Sequence, residues 1–596
     1  MKIKQKKIRN IAIIAHVDHG KTTLVDQLFK QSGMFRENQD VSERLMDSLD
    51  QEKERGITIA SKNGSFWYKD YLINIIDTPG HADFGGQVER ILKMADGALL
   101  LVDASEGPMP QTYFVLKKAL AYHLPIIVVI NKIDKPAARP EWVVNEVFDL
   151  FAKLEAPDHI LDFSIVYASA KDGFAVSDYH LKSNDMTCLL KSIVKEIPSP
   201  SGDGGASLQL QVNTIDYSSF LGRLGIGKIT SGSVTKNQAI VVCGENENLT
   251  TSRISKIYRF EGNNRVEADY AGVGEIVAIA GLDSINVGDT YTDPENPISC
   301  DRIKIDPPTI SMNFIPNDSP FAGQDGRFVT SRHLEDRLFR ETLSDIALKV
   351  EDLETTPGYK VSGRGELHIS VLIEKMRREG YEFQVSRPEV ILKEGSEGML
   401  EPFEDLVVDV DENYMGAVIE ALGGRKGQLI NISQNQGMAK LKYLIPTRGL
   451  LGFRSEFMSL TRGLGVMSYI FHSYLPFSGE ITNRKNGVLV VMETSVTIAY
   501  ALFNLQGRGK LFYGAGVPVY RGQVIGEHCR DNDLRVNPAK GKKLTNVRAS
   551  GTDDSVTLTP HIVMSLEECI AYINDDELVE VTPKAIRIRK RVLVGR

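Results

Sequence analysis

The chain has 596 residues, 42% of them hydrophobic and 25% charged, with a formal net charge of −8. Those proportions exclude a disordered, collagen-like or coiled-coil chain. The acidic excess excludes a uniformly basic nucleic-acid coat while leaving room for a local basic patch. Five scattered cysteines (Cys188, Cys243, Cys300, Cys529, Cys569) form no C-x-x-C pair, which argues against a disulfide framework or a Cys-rich zinc site and for a reducing compartment.

At about 150 residues per domain the length predicts four or five domains. The basic start before the apolar run 11–15 imitates a leader, but His16 and Asp18 follow too soon for a hydrophobic leader core. Later apolar runs such as PIIVVI at 125–130 are strand-sized, so a cytoplasmic protein without a membrane span is expected.

In chain order, apolar runs at 11–15, 73–76, 98–102, 126–130 and 165–167 read as buried parallel strands. Helical patterns at 21–31, 87–94 and 142–154 lie between them, predicting an α/β domain over 1–200. The stretch PSPSGDGG at 198–205 reads as a linker. Short β-rich runs then predict a β-barrel or sandwich over 206–303.

Two segments, 307–390 and 398–481, each read strand, helix, strand, strand, helix, strand, as in ferredoxin-like units, the second with its later helix over 449–461. The remainder, 482–596, is rich in Gly, Arg and Lys with short strand signals and is expected to be a separate β-rich domain. The fold class expected is thus multidomain α/β + β + α+β, beginning with a P-loop domain.

AHVDHGKT at 15–22 follows a strand and opens a helix, matching G-x-x-x-x-G-K-[ST] except that Ala15 replaces the first Gly. Phosphate needs a curl of backbone N–H groups, a lysine at the β/γ oxygens and a hydroxyl on Mg²⁺. Asp18, His19, Gly20, Lys21, Thr22 and Thr23 form this candidate cradle at a helix start. DTPGH at 77–81 follows another strand; Asp77 suits Mg²⁺ through water and the Gly80 amide suits the γ-phosphate.

RGITI at 55–59 places Thr58 to close over the metal. NKID at 131–134 brings Asn131, Lys132 and Asp134, whose carboxylate can accept two hydrogen bonds from the N1–H and N2–H₂ edge of guanine. Adenine has no such donor pair and would leave a buried Asp134 unpaired, a discrimination of ~10⁴ or more. SAK at 169–171 (Ser169, Ala170, Lys171) can offer a backbone amide to guanine O6. Five elements in this order read as a GTP/GDP site with Mg²⁺ held through Thr22, Thr58 and Asp77. His16, His19 and His81 have no Cys or Glu at zinc spacing, so zinc binding is not favoured.

RGITI and DTPGH resemble the switch regions of translational GTPases. That resemblance implies that His81 orients the attacking water, with Lys21 on the phosphates and Val17 and Ile57 as apolar flanks. No arginine finger is obvious in the α/β domain, Arg55 excepted, which implies slow intrinsic hydrolysis and an external activator worth ~10³–10⁵ in rate.

The domain order resembles elongation factor G, but about a dozen residues separate Pro388 from Glu401, leaving no room for its long tip domain. Strings such as LMDSLDQEKERGIT (45–58), VSGRGELHISVLIEKMRREGYEF (361–383), PTRGLLGFRSEF (446–457) and NDLRVNPAKGKKLTNVRASGTD (532–553) are similar to the BipA (TypA) family of ribosome-associated GTPases over essentially the whole chain. This implies partners among the 70S ribosome, its 50S subunit, rRNA, A-site tRNA and ribosomal proteins. It also implies a role in translation and large-subunit assembly under cold or stress, and a monomer off the ribosome. An alternative is an RNA-binding assembly chaperone that uses GTP only as a conformational ligand.

Between 535 and 548 lie Arg535, Lys540, Lys542, Lys543 and Arg548 and no acidic residue; composition alone favours a merely solvated loop, and the family resemblance implies a loop that meets RNA phosphate. A second basic run, Arg587, Arg589, Lys590 and Arg591, reads equally as an RNA contact or as protection of an edge strand. The aromatic and Met residues of GFRSEFMSL (452–460) recur at helical spacing and are expected in a core.

Overall fold

The structure is a computed structural model. It describes all residues except 1–2, 17, 34–49, 56–61, 79–84, 155, 219–221, 245–248, 283–284, 302–307, 344, 346, 355, 397, 436, 482–483, 542–556 and 594–596. The chain divides into two compact units, Met1–Asp306 and Pro307–Arg596.

In the first unit, the apolar runs become strands β1 (Ile8–Ala15), β3 (Tyr71–Asp77), β4 (Gly97–Asp103), β5 (Ile126–Asn131) and β6 (Ser164–Ser169). They pair in parallel in the order β3-β1-β4-β5-β6; β2 (Lys62–Tyr68) adds antiparallel at one edge and β7 (Phe174–Val176) at the other. Helices α1 (Lys21–Gln31), α2 (Asp50–Arg55), α3 (Gly85–Leu92), α4 (Pro110–Ala121), α5 (Pro140–Lys153), α6 (Asp158–Leu161) and α7 (Thr187–Glu196) complete the layers.

Alternate strand residues feed opposite faces. Ile14, Leu100, Val128 and Ile130 pack with Val88, Leu116 and Val147 of α3, α4 and α5. Ile13, Leu99, Leu101 and Val129 pack with Leu24, Leu28, Leu189 and Ile193 of α1 and α7. Coverage on both sides is why these strands are continuous apolar runs.

Antiparallel strands over 209–292 build the β domain, with the long strand Gly222–Ser231 pairing Thr214–Ser218 and Ile276–Ala280. Its Ile226, Phe260, Ile276 and Ala278 merge into the α/β core beside Val88 and Ile91. A polar network crosses the same seam. Asn10 Nδ2 donates to Asp96 at 2.7 Å and to the Gly274 carbonyl at 2.9 Å, and Lys228 reaches Asp96 at 2.5 Å. Burial raises the Asp96 carboxyl, a shift that Lys228 opposes.

In the second unit, Ile310–Pro316, Ser331–Thr342, Lys349–Asp352, Tyr359–Gly363, Glu366–Glu379 and Phe383–Val385 follow the expected strand and helix order. The stretch expected to form a separate domain from 482 onward reaches into this sheet. Glu577–Val581 pairs Phe383–Val385, and Ile586–Lys590 pairs Glu577–Val581 at the edge. Two arginines of the basic run there are turned inward, while Arg591 is exposed. Arg589 is 1% exposed and bonded to Asp318 at 2.7 Å, and Arg587 pairs the buried Glu580 at 3.1 Å. These are structural ion pairs: in one the buried Glu580 requires a cation, and in the other the buried Arg589 requires an anion, which the half-exposed Asp318 supplies.

The next sheet joins Gly398–Asp411 to Met438–Pro446 and Val466–Pro476, with Gln428–Asn435 outermost. The helix expected over 449–461 is broken into Thr447–Leu450 and Phe453–Leu460. Gly452 between them has φ +70 and touches Ala571, where a Cβ would approach to 2.8 Å, so only glycine fits. Phe453 and Phe457 are buried, as expected of a core, but Met458, expected there too, is 42% exposed. The last sheet runs Gly509–Leu511, Val524–His528, Val488–Val491, Leu534–Val536, and the helix Ala499–Leu505 lies on it.

Candidate functional site

The parallel strands β1, β4, β5 and β6 end together, and loops leaving carboxyl ends of such strands form the customary ligand crevice. Register aligns the ends: Asp103 lies beside Asn131, and Asn131 beside Ala168. Between β1 and α1 the chain turns through Asp18 at φ +64 and Gly20 at φ +89. A Cβ on Gly20 would sit 2.5 Å from Asn131 Nδ2, so the turn requires glycine both for its φ and for the close approach.

Lys21 and Thr22 open α1, where unpaired backbone N–H groups and the helix dipole favour phosphate. The Lys21 ammonium lies 2.8 Å from Asp77 Oδ1 and donates to the Thr78 carbonyl. Thr78 Oγ1 in turn donates to Ile13 O at 2.5 Å, tying the end of β3 to β1. The fold thus brings together, from segments far apart in sequence, the lysine and the carboxylate that the sequence reading set as candidates for phosphate and metal. Hard oxygen donors, the Thr22 hydroxyl and the Asp77 carboxylate, are the chemistry Mg²⁺ prefers, so this pair fits it.

Asn131 ties the cradle to the base end. Its Nδ2 donates to the His19 carbonyl at 2.8 Å, and its Oδ1 accepts from the Ala170 amide at 2.9 Å. Lys132, at φ +62, donates to the Asp18 carbonyl. The Ser169 hydroxyl lies 2.8 Å from carboxylate oxygens of both Asp134 and Asp172 and can donate to one at a time. Asp134 itself is exposed, as are Thr23 and Lys171. The fold alone does not bury the carboxylate that the sequence reading placed against a guanine edge.

Three residues escaped sequence reasoning. Asp103, fully buried at the end of β4, holds Lys132 at 2.9 Å and Lys135 at 3.0 Å and accepts from Ser105 N at 2.7 Å. Burial alone would raise its carboxyl, but hydrogen bonds from Ser105, Lys132 and Lys135 outweigh this and hold it well below the usual carboxylate range. A charge closing the apolar run ALLLVD was the available signal. Glu106 faces His19 Nε2 at 3.6 Å, and that histidine lowers its carboxyl. Ser105 completes the group. Val17, Ile57, Thr58, Gly80 and His81 lie outside the described residues, as do Lys542, Lys543 and Arg548; Arg535 and Lys540 are exposed on the second unit.

Comparison with known proteins agrees with this geometry. The chain matches the elongation factor Tu GTP binding domain family over residues 6–199 and elongation factor Tu domain 2 over 222–292. It matches the elongation factor G C-terminus over 398–485 and the TypA/BipA C-terminal domain over 486–595. It is 53% identical over 590 residues to the large ribosomal subunit assembly factor BipA of Escherichia coli (strain K12), covering 99% of this chain and 97% of that protein. The chain belongs to the TypA/BipA family.

The BipA of Salmonella typhimurium is 52% identical over 590 residues, again across 99% and 97% of the two chains. That of Haemophilus influenzae is 51% identical over 591 residues, across 99% and 96%. A Thermus thermophilus protein of known crystal structure shares the fold at a TM-score of 0.54 and 16% identity, over 79% of this chain and 98% of its own. As a TypA/BipA protein this is a GTPase, and its GTP binding domain implies guanine nucleotide. Among the described residues, no helix is long and apolar enough to cross a membrane.

Proposed function

We propose that this TypA/BipA protein hydrolyses GTP to GDP on the ribosome, in translation and in assembly of the large subunit. The observation that carries the reading is the nucleotide cradle tied by Asn131 to the base-reading loops, in a chain whose relatives are named large ribosomal subunit assembly factors. Lys21 holds the phosphates and Asp134 reads the guanine edge, while His81 positions the attacking water between Val17 and Ile57. Thr22, Thr58 and Asp77 would hold Mg²⁺, which would supply neutralisation of the phosphate charge. The basic residues Arg535, Lys540, Lys542, Lys543 and Arg548 meet RNA phosphate, with rRNA and A-site tRNA as the contacts. GTP orders the switch segments and raises affinity for the ribosome; hydrolysis releases the protein.

GTP turnover with and without ribosomes tests this. A slow rate alone and a rise of ~10³-fold or more on ribosomes is expected; equal rates overturn it. His81→Ala should abolish the stimulated rate. If that variant still restored large-subunit assembly in cells, GTP would act as a conformational ligand for an assembly chaperone.

A further inference from the structure

The helix Ala499–Leu505 buries Ala501 and Leu502, with Leu502 in the core of Leu489, Val491, Leu511 and Val536, so the sheet holds it rigidly. Its outer side is unusual for a surface helix. Tyr500 and Phe503, three residues apart and therefore neighbours on one face, are 37% and 43% exposed.

Both roots of the basic loop grip this helix. At its start, the Ile498 amide donates to the Pro538 carbonyl at 3.0 Å. Just past its end, Gln506 Oε1 accepts from the Thr559 amide at 3.1 Å. Exposed Lys540 follows the first root by two residues, and exposed Arg508 follows the helix directly. Glu493, on the segment leading to the helix, is engaged by the Asn537 amide.

Two rigid aromatic faces flanked by cations are what an unpaired nucleotide requires: π-surface for the base and positive charge for the phosphates on either side. A protein partner would use the aromatics but leave the cations on both flanks without a role. We infer that Tyr500 and Phe503 form a stacking platform for unpaired bases of single-stranded RNA, with Arg508 and Lys540 on the adjoining phosphates. The platform rests on the proposed RNA contact of the 535–548 run and extends it: the cations supply affinity for any phosphate chain, and the aromatics restrict it to strands with free bases.

The test uses the full-length protein and a short single-stranded oligoribonucleotide containing 2-aminopurine, whose fluorescence is quenched by stacking. Tyr500→Leu with Phe503→Leu keeps apolar bulk but removes the rings. It should weaken binding about tenfold or more and abolish the quench, without changing the slope of affinity against salt. Tyr500→Phe should retain both, showing that the ring and not the hydroxyl matters. Neutralising Arg535, Lys540, Lys542, Lys543 and Arg548 should instead flatten the salt slope. If the Leu pair leaves affinity and quench unchanged while neutralisation weakens binding, the platform is overturned and the basic-loop reading stands; that holds even if the Leu pair loses a protein partner. If neither change affects binding, both are overturned. A duplex bound as tightly as the single strand, with the same dependence on the two rings, also overturns the platform.

Discussion

The Lys21 ammonium rests 2.8 Å from the Asp77 carboxylate, each almost buried, where the start of α1 meets the end of β3. The two groups assigned to phosphate and metal therefore neutralise one another, and a bound nucleotide must exchange that contact for phosphate and cation. Lys21→Met, which keeps the stem and removes the charge, should do two things. Nucleotide affinity should fall at least 100-fold by calorimetry. The nucleotide-free protein should also lose about 1–3 kcal/mol in urea unfolding, because a buried carboxylate loses its nearest cation.

Asp134→Asn should shift preference from GTP towards xanthosine triphosphate, since an amide can donate to the 2-oxo group that a carboxylate repels. Competition binding with both nucleotides checks this, and unchanged selectivity would refute the guanine assignment.

Asp103→Asn tests the hub behind the base-reading loop. Lys132 and Lys135 would keep a neutral partner but lose the charge that fixes them. GTP and GDP should weaken alike, by about tenfold, with little change in the stimulated turnover of bound GTP. The pH dependence has a definite sign. The folded carboxyl lies below its unfolded value of about 3.9, so its contribution is complete above that pH and disappears as the pH falls through the folded value. The wild type should therefore lose more stability than the variant on acidification below about pH 4.

Lys228→Ala should loosen the β domain from the α/β domain. It leaves Asp96 buried without its cation, a loss of about 3 kcal/mol in urea unfolding. Lys228→Ala with Asp96→Asn should recover part of that loss, because the uncompensated charge is gone.

Much of this molecule was legible from sequence because its signals are local. Four strand-then-motif junctions and the RGITI segment, each within a few residues, announced a nucleotide site, and continuous apolar runs alternating with helical patterns announced a sheet covered on both sides. The helix over 449–461 was half legible: its period gave Phe453 and Phe457 as core, but the break at Gly452 depends on Ala571, over a hundred residues away. The run at 587–591 shows the same limit. Arginine in a strand reads as surface, and only the sheet, by placing Glu580 and Asp318 beside it, turned Arg587 and Arg589 inward.

The sequence by itself determined the family, the multidomain fold class and that this is a GTPase, because each motif behind those readings contains its own backbone turn and its own functional group. Tertiary structure alone decided that Asp103 organises the lysines of the base-reading loop and that strands near the carboxyl end complete a sheet begun at Ile310. It also left Tyr500 and Phe503 facing outward between the roots of a basic loop. Those outcomes depend on which strand edges and buried charges remain unpaired once the chain has collapsed, and that is a property of pairings between residues far apart in the chain.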